Sequence, residues 1–443
     1  MRPPARLNAG QGRGRTSMAG QYATLVRDDR VHGSLYTDPT IFAEEMDRIF
    51  RRGWVFLGHE SEIAAPGDWV TRSIGLESVI MVRDRDGAIR VLANRCAHRG
   101  NRLCWKERGH DSRFQCIYHG WTFGLDGSLR AVSHKAGFDP ARGDMPLDRA
   151  GQVDSHRGFI FANMSGDAGP LADHLGAGGR ALIDRLCDLS PSGRIHFGAG
   201  WIGHRVESNW KMWPESDSDG YHLDFVHASM LRAVPDNYYD ETVIGGESKN
   251  VSRAIDHGGG VNELDLRPSY RRELAWLGTS RDKVASYCAA LEARHGKERA
   301  DRLLWDGPPH GFIFPNLFLG EGNVARVDPV DVGAVLHVHT ALQLEGVDPA
   351  LNRRLVRQSE AGLGPASFIV PDDAIIAERM QLGFQGLKPP LNESDNGPGW
   401  VDLSRGRARE SHEANGTRVG HVSDETTNRS FWRHYRHVME SRA

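Results

Sequence analysis

The stretches NRCAHRGNRLC (residues 94–104) and FQCIYHGWTF (residues 114–123) each carry a thiol and an imidazole at tight spacing. One residue separates Cys96 from His98, two separate Cys116 from His119, and residues 99–115, a gap of 17, lie between the halves. Each half falls at a loop between predicted short strands, and a glycine follows each histidine, Gly100 and Gly120. Two Cys and two His at hairpin tips bind either zinc or a [2Fe–2S] cluster. Zinc fingers group their ligands as Cys-x₂₋₄-Cys followed by His-x₃₋₅-His. Here the types alternate Cys, His, Cys, His, an order that suits a cluster with two Cys on one iron and two His on the other. Cys104, inside the loop, does not fit the pattern and is expected to be a packing residue.

A second constellation lies downstream in DSDGYHLDFVHA, residues 217–228. His222 and His227 are five residues apart, so an ideal helix would set them about 140° apart at roughly 100° per residue. They converge only if the helix ends there or carries a π-type turn. Convergence would present two imidazoles to one metal and leave room for a third ligand. Otherwise they are two ordinary histidines in a chain that has 21.

CAHRG and CIYHGWTF match Cys-x-His-(17)-Cys-x-x-His, the signature of Rieske proteins. NWKMWPESDSDGYHLDFVH, residues 209–227, resembles the Asn-Trp-Lys…Asp-x-x-His-x₄-His motif of the large (alpha) subunit of Rieske non-haem iron aromatic ring-hydroxylating oxygenases. The resemblance runs from about residue 35 to about residue 385. It implies a [2Fe–2S] cluster on Cys96, His98, Cys116 and His119, and a mononuclear Fe(II) on His222 and His227. The family's third iron ligand is a downstream carboxylate after an acidic pair at a helix start. FIVPDDAII (368–376) supplies it, with Asp373 the better match and Asp372 the alternative. Two imidazoles and one carboxylate on one face of Fe(II) leave positions open for O₂ and substrate. The same set can bind zinc for hydrolysis, but a hydrolytic zinc has no use for an electron relay.

Asp219 precedes His222 by three residues, so on one helix face its carboxylate would orient that imidazole. The resemblance gives it a further catalytic role, bridging His222 to His119 of the partner subunit in a head-to-tail ring. It also implies electrons from NAD(P)H through a reductase with or without ferredoxin, a small aromatic substrate and O₂. A small beta subunit and a ring-shaped alpha3beta3 assembly follow from the same likeness. Leu223 and Ile369, beside the ligands in sequence, are candidates for the substrate pocket. The alternatives are a Rieske monooxygenase or O-/N-demethylase, an electron carrier with a vestigial iron site, and a zinc hydrolase.

The 443 residues allow two or three domains. The expected fold class is α+β: a Rieske β domain over 54–165 inserted in a catalytic domain, 21–53 and 166–443, with an antiparallel sheet flanked by helices. Residues 1–20, Arg-rich and without acidic groups, are expected to be a disordered extension. A hydrophobic content of 39% and a charged content of 26% fit a globular protein, and the net charge of −3 gives no reason to expect nucleic acid or an acidic membrane as partner. No stretch approaches the ~20 apolar residues of a membrane span. Five cysteines, odd in number and without a secretory leader, favour a cytoplasmic protein without disulfides.

Residues 38–52 predict a helix capped by Asp38 with Pro39 first. VIMV and IRVLAN flank a hairpin turn, LDG (125–127) marks another, residues 170–190 and 281–305 read as helical, and 335–344 as a strand. The chain beyond 388 is expected to be loop and surface wrapping. Trp105 and Trp121 are expected to flank the cluster, and Glu215 to reach the pocket. Arg326 is expected in a structural salt bridge rather than on a carboxylated substrate, and His337 and His339 on an exposed strand face rather than as a metal pair.

Overall fold

The computed structural model describes residues 21–233, 251–364, 367, 369–390, 392 and 396–441; the extension expected over 1–20 lies outside them. The Asp38 carboxylate accepts from the Thr40 and Ile41 amides, and Pro39 opens the helix Pro39–Glu45. The turn continues as a π-helix, Met46–Arg51, which keeps Ile49 and Phe50 in the core.

Short strands then take over. Ile89–Ala93, Glu77–Arg83, Asp68–Ile74 and Arg108–His110 form one antiparallel sheet. Phe114–Gln115, Thr122–Phe123 and Leu129–Ala131 form a second, and the two enclose Trp69, Ile80, Leu92, Phe114 and Phe123. Strand Val55–His59 pairs with Phe159–Asn163, so this β region leaves the chain where it entered.

The larger part is built on a nine-stranded antiparallel sheet. From the edge strand Ile202–Val206 it runs through Ala334–Ala341, Asn323–Asp331, Leu317–Leu319 and Gly311–Ile313, continuing through Val261–Asp265 to Arg253–Gly258. Helices Leu171–Asp188, Pro349–Leu363, Val370–Gly383 and Thr426–Ser441 accompany it, so the class is α+β. No helix among the described residues is long and apolar enough to cross a membrane.

The chain beyond 388 is more than loop and surface wrapping. Beyond 388 the chain adds Ser411–His412 and Arg418–His421 to the large sheet and pairs Trp400–Asp402 with Arg30–His32. It ends in helix Thr426–Ser441, whose Phe431, Trp432, Tyr435 and Met439 are fully buried. These positions make a helical stripe at i, i+1, i+4 and i+8, but the arginines and histidines between them hide it in composition.

That helix meets the NWK segment at a buried hub. Glu45 accepts from Lys211 Nζ at 2.6 Å, Trp210 Nε1 at 2.8 Å and Tyr435 Oη at 2.6 Å, and the Lys211 and Glu45 side chains are 0% exposed. Helix Pro39–Glu45, the motif and helix Thr426–Ser441 are thereby tied at one carboxylate. Burial pulls the Lys211 pKa down, and the Glu45 charge opposes it. A buried ion is tolerated only while it is paired. Lys211→Met should therefore destabilise the fold by about 3–5 kcal/mol in denaturant titration, and the double variant Glu45→Gln/Lys211→Met should recover most of that loss.

Candidate active site

The two hairpin tips of the β region repeat one backbone pattern. Gly100 N–H donates to the Cys96 carbonyl and Gly120 N–H to the Cys116 carbonyl, both at 2.9 Å, while Cys96 and Cys116 N–H donate to Asn101 and Trp121 carbonyls. Gly100 and Gly120 sit at φ +73° and +71°, a region that costs glycine little. The tips bury both thiols and leave His98 and His119 half-buried, with ring centroids 4.7 Å apart. Trp121 stacks on His98 at 4.7 Å and 8°, and Asn101 Nδ2 approaches Cys116 Sγ at 3.7 Å. His98 Nδ1 is buried without a hydrogen-bond partner. Two buried thiols, two facing imidazoles and that orphaned nitrogen fit a [2Fe–2S] donor set. On the two tip segments Trp105, Ile117 and Tyr118 are exposed apolar side chains, Trp105 at 68%. Cys104 is buried in the local core, as a packing residue would be.

At the second constellation the helix stops. Helix Met212–Asp217 ends, a turn spans 218–222, and a single helical turn, Leu223–Val226, puts His222 and His227 at its two caps. Their Nε2 atoms lie 3.2 Å apart. Asp373, on the first turn of helix Val370–Gly383, brings Oδ1 to 3.2 Å from His227 Nε2 and 3.5 Å from His222 Nε2. These three residues form a group able to hold a metal ion. Asp372 reaches only 3.8 Å from His227 Nδ1 and is 40% exposed, against 9% for Asp373.

Asp219 lies in the turn rather than on a helix face. Its Oδ1 accepts from Tyr221 N–H at 2.6 Å and its Oδ2 faces His222 Nδ1 at 3.2 Å, leaving His222 Nε2 toward Asp373. Burial favours the neutral His222 imidazole, but the hydrogen bond and charge of Asp219, then the charges of Asp373 and Asp217, outweigh it and raise the pKa. Gly220 is needed because an added Cβ would overlap the Val422 carbonyl oxygen.

A cavity of about 1280 Å³ opens on the triad, lined by Leu223 and Ile369 among others. Glu215 does not reach it: Tyr36 Oη and Trp432 Nε1 donate to its carboxylate, and burial lifts its pKa to about 7. His337 and His339 are buried, not exposed, because helix Pro349–Leu363 packs on their strand. His337 stacks on Trp213 at 4.1 Å and lines the cavity, and burial holds it neutral. Arg326 bonds Asp328 at 3.1 Å, a buried structural pair. Asp217, His310 and Glu321 also line the cavity and drew no attention in sequence. Asp217 stood inside the quoted motif; His310 and Glu321 carry no local signal.

Residues 53–141 match the Rieske [2Fe-2S] domain, and residues 194–441 match the ring hydroxylating alpha subunit catalytic domain. The 2-halobenzoate 1,2-dioxygenase large subunit of Burkholderia cepacia is 29% identical over 426 residues, 90% of this chain and 88% of that protein. The large oxygenase component of a naphthalene 1,2-dioxygenase system of Pseudomonas putida is 30% identical over 389 residues, 82% and 81% of the two chains. A naphthalene 1,2-dioxygenase structure with indole bound in the active site superposes with TM-score 0.76 at 25% identity, covering 94% of each chain. The chain belongs to the alpha subunits of Rieske ring-hydroxylating dioxygenases, and it is an oxidoreductase of that class.

Gly220→Ala should displace the turn that carries Asp219 and His222, costing about 1–3 kcal/mol in denaturant titration and lowering bound iron. Gly383→Ala, where nothing lies within 4 Å of an added Cβ, should change neither.

Proposed function

We propose that this chain is a terminal oxygenase subunit that (di)hydroxylates an aromatic ring. The observation that carries the reading is the presence, in one chain, of a convergent Nε2, Nε2, Oδ1 triad and of a separate two-thiol, two-imidazole set. Cys96, Cys116, His98 and His119 would hold the [2Fe–2S] cluster; His222, His227 and Asp373 would hold Fe(II). When bound, the cluster supplies single electrons and the iron a centre for activating O₂.

The chain's own contribution is positioning. Asp219 holds one tautomer of His222, which directs the Nε2 lone pair at the metal position. Trp121 fixes the His98 ring plane, and the apolar walls of the cavity exclude water from the reacting face of an arene. Asp219, which also borders the cavity, is proposed to meet His119 of the partner subunit in a head-to-tail ring; exposed Trp105, Ile117 and Tyr118 offer apolar surface such a ring would cover. The relatives are large subunits or large oxygenase components, which supports a small beta subunit, an alpha3beta3 assembly, and electron supply from NAD(P)H by a reductase with or without ferredoxin.

With a reconstituted reductase, a substrate arene and ¹⁸O₂, the hydroxylated product should carry label. Asp219→Asn should keep both metal complements yet form product slower by orders of magnitude, because the amide cannot serve as a charged acceptor for two imidazoles. Unlabelled product, or an Asp219→Asn variant at the wild-type rate, would contradict the reading.

A further inference from the structure

One aromatic ring links a cation to a histidine of the hairpin tips. Arg142 closes the short 3₁₀ turn Pro140–Arg142, and its Cζ lies 4.9 Å from the centroid of the Trp121 ring. Phe138 borders the same guanidinium at 5.2 Å and meets Trp121 edge-on at 5.6 Å and 75°. Trp121 is 1% exposed and is the ring that stacks on His98.

The cation has no counter-charge. Among the described residues no carboxylate forms an ion pair with Arg142, and Asp139 accepts from the Ala141 amide at 2.8 Å instead. Arg142 Nη1 and Trp121 Nε1 are both buried donors without an acceptor. Other arginines near the tips differ: Arg95 pairs with Asp148 at 2.7 Å, and Arg99, over Tyr118 at 5.7 Å, is exposed. Drawing a guanidinium half out of water without a carboxylate is costly, and the face of a tryptophan offsets only part of that cost.

The charge has something to act on. With two ferric irons, two sulfides, two thiolates and neutral imidazoles, an oxidised Rieske cluster sums to zero. One electron from the reductase chain turns one ferric iron ferrous and leaves a single negative charge. A fixed cation nearby favours that product, and net charge around a cluster is one of the settings of its potential.

We propose that Arg142 tunes the cluster: its charge, held against Trp121 on the His98 side, stabilises the reduced state and raises the reduction potential. The inference rests on Cys96, His98, Cys116 and His119 holding that cluster. A more readily reduced cluster fills from a milder electron donor, so Arg142 would set which donors can load this chain.

The test is a redox titration of the purified holoprotein with dithionite and mediator dyes, followed by the Rieske paramagnetic resonance signal. Arg142→Lys keeps the charge and should stay within about 2-fold of the wild-type reduction equilibrium. Arg142→Gln should shift that equilibrium toward the oxidised form by ~3–10-fold, where tenfold equals ~59 mV for one electron. Arg142→Glu should shift it about twice as far in millivolts. Added salt should shrink the glutamine shift, because Arg142 is half-exposed. A packing defect would move all three variants alike, whereas lost charge ranks them Lys, Gln, Glu; if the glutamate variant does not hold its cluster, the Lys and Gln pair decides. A glutamine variant at the wild-type potential, or a lysine variant shifted as far as the glutamine one, would overturn the inference and leave the cluster assignment standing. If the wild-type protein shows no Rieske signal on reduction, the cluster assignment falls and this inference with it.

Discussion

Three lone-pair atoms must meet at one point, and they come from residues five and about 150 positions apart: His222, His227 and Asp373. A continuous helix would splay the two imidazoles apart, so the chain breaks after Asp217 and restarts for a single turn. The break packs tightly against the loop at Val422, where a Cβ at position 220 would overlap the Val422 carbonyl oxygen. The buried Glu45–Lys211 hub fixes where the preceding helix begins, and helix Val370–Gly383 delivers the carboxylate from its first turn. Much of the larger sheet and its helices serve to hold these pieces in register.

The electrostatics follow from that placement. Asp219 spends one carboxylate oxygen on the turn and the other on His222, so the residue that shapes the loop also sets the ligand's tautomer. Crowding Asp217 and Asp373 near one another raises the Asp217 pKa, chiefly through burial and then through the Asp373 charge. A bound cation would relieve that crowding, which is what an ion-binding site asks of its donors. At the hairpin tips the thiols are buried and the imidazoles reach the surface, an asymmetry suited to electron exchange at the histidine side.

Much of this was legible in the sequence for a physical reason: metal ligands within one loop must obey short spacings. Cys96, His98, Cys116 and His119 stand on two such loops, and His222 with His227 on another. Asp373 was readable only through the family likeness, since nothing local ties it to residues about 150 positions upstream. The helix at 426–441 was missed because its apolar stripe is diluted by charge, although Phe431 and Trp432 lie at the core. His337 and His339 alternate as an exposed strand face would, and only the packing of helix Pro349–Leu363 buries them. The Asp217–His310 contact at the cavity spans 93 positions, beyond any local pattern.

The most direct measurement is metal and sulfide content with electron paramagnetic resonance on the purified chain. Three irons and two acid-labile sulfides per chain, with a Rieske signal after reduction, are predicted. Asp373→Ala should retain two irons and that signal while losing the third. A colourless protein holding stoichiometric zinc, or an Asp373→Ala variant that keeps all three irons, would contradict the assignment of the two donor sets.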